Sequence, residues 1–160
     1  MNINYKTPAI AVIWLVVAGG LFYFFNRQYH PNTAEKLGAA TEVVLARDLT
    51  GHYRADAFIN GIETSVMVDT GATDVAISQR MADRLGIRST DAIRTRTANG
   101  DVVAYMTRLT SVKLGGIEAH DVAAIITPNL EGDMLLGMSF LNRMDVRLYK
   151  GTMTIRTVTD

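Results

Sequence analysis

The stretch Ile62-Glu63-Thr64-Ser65-Val66-Met67-Val68-Asp69-Thr70-Gly71-Ala72-Thr73 decides how the rest of this chain is read. It follows Asn60-Gly61, a pair that favours a type I′ turn because both central residues take positive φ. A hairpin is therefore predicted, with Tyr53–Ile59 and Ile62–Val68 as its arms. The second arm is strongly apolar and delivers one carboxylate, Asp69, to its mouth. Beside it, Thr70 supplies a hydroxyl that can hydrogen-bond nearby backbone. Gly71 permits a close approach that a side chain would block, and Ala72 keeps the turn compact. An Asp-x-Gly string alone commonly just ends a strand in an Asx-turn. Here a helix follows at once: Ile77, Met81 and Leu85 are spaced by four, Ser78 can cap the start, and Gly86 suits the C′ position.

Working outward, the texture from Thr41 onward is β, with short runs of Val, Ile, Thr and Tyr between glycine turns. Asn99-Gly100 predicts a hairpin between 93–98 and 102–109. Gly115-Gly116 predicts one between 106–114 and 117–126, and Lys150-Gly151 one between 146–149 and 152–155. A shorter helix is expected at 140–144. Regular hairpins with two short helices predict a mostly β, barrel-like domain. The order hairpin, apolar strand, glycine turn, helix occurs twice. The second time it runs through Asp133-Met134-Leu135-Leu136-Gly137, with Leu135 where a second aspartate would stand. We read this as a structural duplication.

The chain has 160 residues, 48% hydrophobic and 20% charged, enough for one domain plus an N-terminal segment. Lys+Arg and Asp+Glu both total 16, so no basic excess points to nucleic acid. Cysteine is absent, which excludes disulfide scaffolds and thiol catalysis, and three histidines make a multi-histidine metal site a poor fit. No metal and no cofactor are expected. Residues 8–25 (PAIAVIWLVVAGGLFYFF) carry no charge, and with Thr7 and Asn26 the uncharged run reaches the ~20 residues needed to cross a bilayer. Trp14 lies inside the run and Tyr23 near its end, where an aromatic belt is expected. A cleaved signal peptide would have a shorter apolar region and a small-residue cleavage site, whereas Asn26-Arg27-Gln28-Tyr29-His30 follows here. The expectation is a leader and retained anchor at 1–25, a tether at 26–40 and a domain at 41–160. The flanking charges nearly balance: Lys6 and the α-amine on one side, Arg27 and Lys36 on the other. The reading places the domain on the exported, periplasmic side of the inner cell membrane.

Asp69-Thr70-Gly71-Ala72-Thr73 after an apolar strand, echoed by Leu135-Leu136-Gly137, resembles the retropepsin-like aspartic proteases. The likeness extends to the single-domain, membrane-anchored forms found in bacteria, and it covers roughly residues 41–155. The resemblance implies a single-lobe acid-protease barrel with short helices, in which Asp69 is catalytic. It implies that Thr70 locks two active-site loops together, that Gly71, Ala72 and Thr73 support the loop, and that Leu135-Leu136-Gly137 is the family's hydrophobic-hydrophobic-Gly turn. A hairpin flap closes over substrate in that family. Ala98, Asn99 and Gly100 stand at the matching place, although viral relatives carry a glycine-rich tip and this chain reads Thr97-Ala98-Asn99-Gly100-Asp101.

Aspartic proteolysis needs two carboxylates about 3 Å apart sharing a proton, and this chain offers one Asp-Thr-Gly. The expectation is a homodimer that pairs Asp69 with its symmetry mate around an extended peptide substrate. The rival from another class is a non-catalytic, membrane-anchored dimerisation or peptide-binding module on the same fold. Other chemistries fit poorly. Gly137-Met138-Ser139-Phe140-Leu141 begins like a nucleophile elbow but has Leu141 where glycine belongs, so Ser139 is read as a helix N-cap. No phosphate-cradling G-x-x-x-x-G-K-[ST] is present.

Overall fold

The structure, a computed structural model, describes residues 6–33, 37, 41–97 and 100–158. In chain order these form α1 (Lys6–Tyr29), β1 (Glu42–Ala46), β2 (Tyr53–Ile59), β3 (Ile62–Val68) and β4 (Val75–Ser78). Next come α2 (Gln79–Arg84), β5 (Ala92–Thr97), β6 (Gly100–Leu114), β7 (Ile117–Thr127) and β8 (Met134–Leu136). The chain ends with α3 (Met138–Leu141), β9 (Met144–Tyr149) and β10 (Thr152–Thr157).

Turn chemistry places the hairpins. Asn60 and Gly61 take φ of 48° and 82°, and Lys150 and Gly151 take 46° and 81°, which matches the type I′ requirement at both pairs. The register closes with Ile59 opposite Ile62 and Tyr149 opposite Thr152. The hairpin expected at Asn99-Gly100 closes one residue earlier: Thr97 pairs with Gly100, so Gly100 (φ 106°) opens β6. Ala98 and Asn99, named for the flap tip, lie outside the described residues. The two runs expected at 102–109 and 106–114 are one 15-residue strand, β6. Its first part pairs with β5, and Tyr105 to Leu114 pair with β7.

The strands close on themselves. Neighbours run β2-β3-β8-β4-β7-β6, and β6 returns to β2 through Phe58–Lys113 and Ile59–Val112. Two of these contacts are parallel, β3 with β8 and β4 with β7, while β4 and β8 run antiparallel between them. Exchanging β2 with β6, β3 with β7 and β4 with β8 leaves this order unchanged. The repeated order of motifs is therefore a pseudo-two-fold in the fold itself. It also corrects where the second aspartate would stand. Val68 lies opposite Leu136 across β3–β8, and Ile126 lies opposite Ile77 across β7–β4. The residue after Val68 is Asp69 and the residue after Ile126 is Thr127, so Thr127 is its counterpart. Leu135 belongs to β8, the partner of β4.

The barrel interior is apolar and closed to solvent: Ile59, Val66, Ile77, Leu109, Val112, Leu114, Leu136 and Phe140 are buried. Met134 is buried, and Met138 and Met144 pack against this cluster from its edge, filling gaps as flexible thioethers do. Ile77 is in β4 and not on the helix, which starts after it. Ser78 caps α2 by accepting the Met81 N–H at 3.1 Å, and Gly86 follows the helix at φ 66°. The second helix forms at 138–141, earlier than expected, because Met144 is already the first residue of β9.

A separate three-stranded sheet, β1-β10-β9, carries both ends of the domain. Two described residues of the stretch 26–40, expected as a tether, pack against the domain. Helix α1 runs to Tyr29. Asn32 is buried; its side-chain amide donates to the carbonyls of Ala46 (2.8 Å) and Arg54 (2.7 Å) and accepts the Ala46 N–H at 2.9 Å. Leu37 joins the core cluster, against Val43 and Gly115. An amide with matched donors and acceptors and an apolar anchor are both hidden in a stretch without periodicity.

The β1–β2 connection is held by Asp48. Its buried carboxylate accepts the Thr50 N–H (2.8 Å), the Thr50 hydroxyl (2.6 Å), the His52 N–H (3.0 Å) and Arg54 Nε (3.1 Å). Burial pushes the carboxyl upward, but the hydrogen bonds from Thr50 and His52 and the charge of Arg54 outweigh it and hold it below the ordinary value of 3.8. A depressed folded-state value adds stability that is present above the unfolded value and lost as pH falls through the folded one. Asp48→Asn is expected to cost about 2 kcal/mol at neutral pH. In urea titrations the gap from wild type should shrink below the ordinary value of 3.8, as Asp48 protonates in the wild type too.

Candidate active site

Asp69 leaves the end of β3, where its own N–H is satisfied by the Leu136 carbonyl of β8 at 3.0 Å. The carboxylate turns back on its loop: Oδ1 accepts the Gly71 N–H at 2.8 Å. A Cβ on residue 71 would sit 3.2 Å from that oxygen, tight but not prohibitive. Asp69 and Ala72 are half-buried, while Thr70, Gly71 and Thr73 are exposed around them. The loop thus presents its carboxylate near the surface of the chain, on a backbone held by hydrogen bonds.

Further hydrogen bonds come from the other half of the chain. Met138 N–H donates to the Ala72 carbonyl at 2.8 Å, and Ser139 N–H donates to the Thr73 carbonyl at 2.9 Å. Gly137 sits so close that a Cβ there would lie 2.7 Å from the Ala72 carbonyl oxygen and would also clash with Asp74 backbone. No real side chain tolerates such a contact, so glycine is required by packing and not by its φ. Of the residues named from sequence, the structure brings Asp69, Ala72, Thr73, Leu136 and Gly137 into direct backbone contact. Leu135 is half-buried in β8, opposite Met67 and Ala76, and stands apart from the loop's backbone clasp.

Ser139 has a role that sequence does not reveal. Helix α3 has Gly137 at its N-cap position and no side-chain cap. The Ser139 hydroxyl instead accepts the Val75 N–H at 2.9 Å and donates to the Ala123 carbonyl at 2.8 Å, joining β4 to β7 just behind the loop. A serine after glycine at a helix start looks the same in either role, so spacing alone cannot separate them. Helix α2 is tied in as well. Arg80 and Arg84 both reach Asp133 at the entrance to β8.

Beside Thr70 lies a cavity of about 350 Å³, walled by Met138, Leu141, Met144, Asp145 and Val146. Among the described residues no group of three or more His, Asp or Glu is placed to hold a metal ion. At the N-terminus, Ala9–Tyr29 of α1 has a mean hydropathy of 2.0 and is exposed throughout, long and apolar enough to cross a membrane.

A closed barrel with two parallel cross-connections, carrying an Asp-Thr-Gly loop against a hydrophobic-hydrophobic-Gly turn, defines the aspartic-protease class of fold. The family described as "gag-polyprotein putative aspartyl protease" matches residues 55–143, more than half of the chain, and the chain belongs to it. The fold is that of the retropepsin-like aspartic proteases. A crystal structure of such a protease from Rickettsia conorii superposes with a TM-score of 0.62 at 33% identity, covering 71% of this chain and 97% of that one. The EIAV protease, solved with the inhibitor HBY-793, shares the fold at 19% identity and a TM-score of 0.51, over 61% of this chain and 92% of that one.

Two uncharacterized proteins are similar in sequence. One, encoded in the cobV 5′ region of a Sinorhizobium species, is 32% identical over 109 residues, 66% of this chain. The other, from Rickettsia prowazekii, is 33% identical over 144 residues, 83% of this chain. This chain spans 47% and 62% of their own lengths.

Proposed function

We propose that this chain is a membrane-anchored aspartic endopeptidase whose active site is completed by a second copy of itself. The observation that carries the reading is the clasped loop: one carboxylate, Asp69, held by backbone contacts from Leu136 to Ser139 on a barrel whose internal symmetry places Thr127, not an acid, at the counterpart position. A single chain therefore brings half of the required pair of carboxylates. In a two-fold homodimer Asp69 meets its mate. The ionised partner takes a proton from water as the water oxygen attacks the scissile carbonyl carbon, and the protonated partner hydrogen-bonds the carbonyl oxygen. Collapse of the tetrahedral intermediate then breaks the C–N bond as the amine leaves protonated.

Thr70 and Gly71 steady the loop from within, and Ala72 and Thr73 steady it through their carbonyls against the chain that follows Leu136-Gly137. Leu135 fills the strand behind. The β5–β6 hairpin, with Ala98, Asn99 and Gly100 at its tip, acts as the flap over an extended peptide that adds to the sheet as a strand. Residues 8–25 anchor the chain in the inner membrane with the domain on the periplasmic side, and confinement to a membrane raises the local concentration of partners. Support for the reading comes from family membership and from the loop geometry.

The test uses the full chain in detergent with a denatured test protein. Cleavage is expected to require acid and to be blocked by a statine-type transition-state mimic, which binds the paired carboxylates far more tightly than substrate does. A binding module without catalysis would give neither cleavage nor inhibition, and that result would end the proposal.

A further inference from the structure

We infer that the end of the domain from which α1 departs is a membrane-contact surface, with Leu49, Tyr149, Arg47 and Lys150 resting in the lipid headgroup layer. This deepens the proposed anchoring by α1 and rests on it for the choice of partner. Helical hydrogen bonding continues past α1 to His30, whose N–H donates to the Asn26 carbonyl at 3.0 Å. Asn32 is already held by the domain, its side chain on Ala46 and Arg54 and its carbonyl accepting the Asp56 N–H at 3.2 Å. Only Pro31 stands between them. Beyond the uncharged run, residues 26–29 make about 6 Å of helix, close to the depth of one headgroup layer. Asn32 therefore sits at the outer edge of that layer, and the protein surface around it meets lipid.

Strand register identifies that surface. Leu37 lies against Val43 and Asn32 bonds to Ala46, so the Asn32 end is the Ala46 end of β1, and α1 departs beyond it. Ala46 lies opposite Thr152, and Thr152 opposite Tyr149. The β1–β2 connection and the Tyr149–Thr152 turn thus share one end of the three-stranded sheet. Leu49 and Tyr149 are 54% and 70% exposed there. The hydrogen bonds to Asp48 fix the loop that carries Leu49, so this exposure is built into the fold.

Charge at this end suits a bilayer. Arg47 lies 5.3 Å over the Tyr53 ring and Lys150 5.3 Å over the Tyr149 ring. Such pairs fit an interface, where the ring settles at headgroup level and the cation reaches lipid phosphate. The one acid in residues 46–53 is Asp48, whose side chain is 1% exposed and paired with Arg54, and residues 149–152 hold none. The outer face of the sheet grades in the same direction. The cross-strand row Ala46, Thr152, Tyr149 is uncharged; Val44, Thr154, Arg147 carries one cation; and Glu42, Arg156, Asp145, farthest from this end, is fully charged.

The absence of cysteine makes this directly testable in the full-length chain. Leu49→Cys, Tyr149→Cys and Val158→Cys are each labelled with an environment-sensitive dye and reconstituted into vesicles of phosphatidylcholine and phosphatidylglycerol. Val158 is 62% exposed and follows β10 at the opposite end of the sheet, so it controls for exposure alone. Dye at 49 and 149 is expected to shift to the blue and to lose most of its emission to spin-labelled lipid, and dye at 158 to do neither. Equal quenching at all three positions, or none at 49 and 149, overturns the contact. A blue shift at 49 and 149 that spin-labelled lipid does not quench means that protein covers the surface, and overturns it too.

A second arm tests the cations. Arg47→Glu combined with Lys150→Glu should weaken quenching at position 49 in vesicles containing phosphatidylglycerol, and unchanged quenching sinks the headgroup contact. Flotation of the vesicles after an alkaline wash scores the anchor separately. Protein that floats without quenching at 49 and 149 discards this surface and keeps the anchor, whereas protein that fails to float discards both.

Discussion

Asp69→Asn is expected to abolish proteolysis, with a loss of at least ~10³-fold, while leaving the fold in place. The magnitude follows from the role: the general base alone contributes about 10²–10⁴ in rate, and the amide can neither take the proton nor share one with its mate. The fold should survive because the contact that shapes the loop does not need the charge. Asparagine keeps the side-chain oxygen that accepts the Gly71 N–H at 2.8 Å, and the Asp69 N–H to Leu136 is a backbone bond. Circular dichroism and thermal melting should therefore match the wild type. Mixing supplies the sharper measurement. If each copy contributes one carboxylate, a dimer of one wild-type and one Asp69→Asn chain is dead, and activity should fall with the square of the wild-type fraction. A linear fall would mean that each chain works alone.

Gly137→Ala has the largest expected effect on stability, about 3 kcal/mol or more. The added methyl would meet the Ala72 carbonyl oxygen at 2.7 Å and backbone of Asp74, and neither can rotate away as a side chain would. Relief requires α3 and the Asp69 loop to separate, which stretches the Met138 to Ala72 and Ser139 to Thr73 hydrogen bonds together. Thermal unfolding should fall by roughly 10 °C. Gly51→Ala makes the useful comparison. Gly51 has φ 86°, and a methyl added there would meet nothing within 4 Å, so the cost is backbone strain alone, about 1 kcal/mol. A Gly137→Ala protein as stable as the Gly51→Ala protein would show that the two loops are not clasped as described.

Legibility in sequence follows the range of the interaction. Asn60-Gly61 and Lys150-Gly151 carry their turn in two residues, and both strands flanking each turn begin and end beside the pair. The Ser78 cap and the Gly86 stop are readable because a cap is a bond across three residues. The departures share the opposite property. Ser139 reads as a cap in sequence, and its true partners, Val75 and Ala123, lie 64 and 16 residues away. Asn32 reads as part of a tether, and its partners Ala46 and Arg54 are 14 and 22 residues away. Aligning motifs by their order puts the missing second acid at Leu135, whereas strand register aligns Asp69 with Thr127.

Taken alone, the order of residues determined that the chain is a β domain of hairpins behind an apolar N-terminal helix, and that one carboxylate stands at the mouth of an apolar strand. Those features rest on φ preferences, side-chain periodicity and uninterrupted apolarity, all of which act within a few residues. Tertiary structure alone decided that β6 returns to β2 and closes the barrel, that Gly137 must be glycine, and that the first half of the chain grips the second beside Asp69. Such facts depend on which backbone groups remain unpaired once local structure has formed. Distant strands compete for those groups through hydrogen bonding and packing, and no short window of sequence records the outcome.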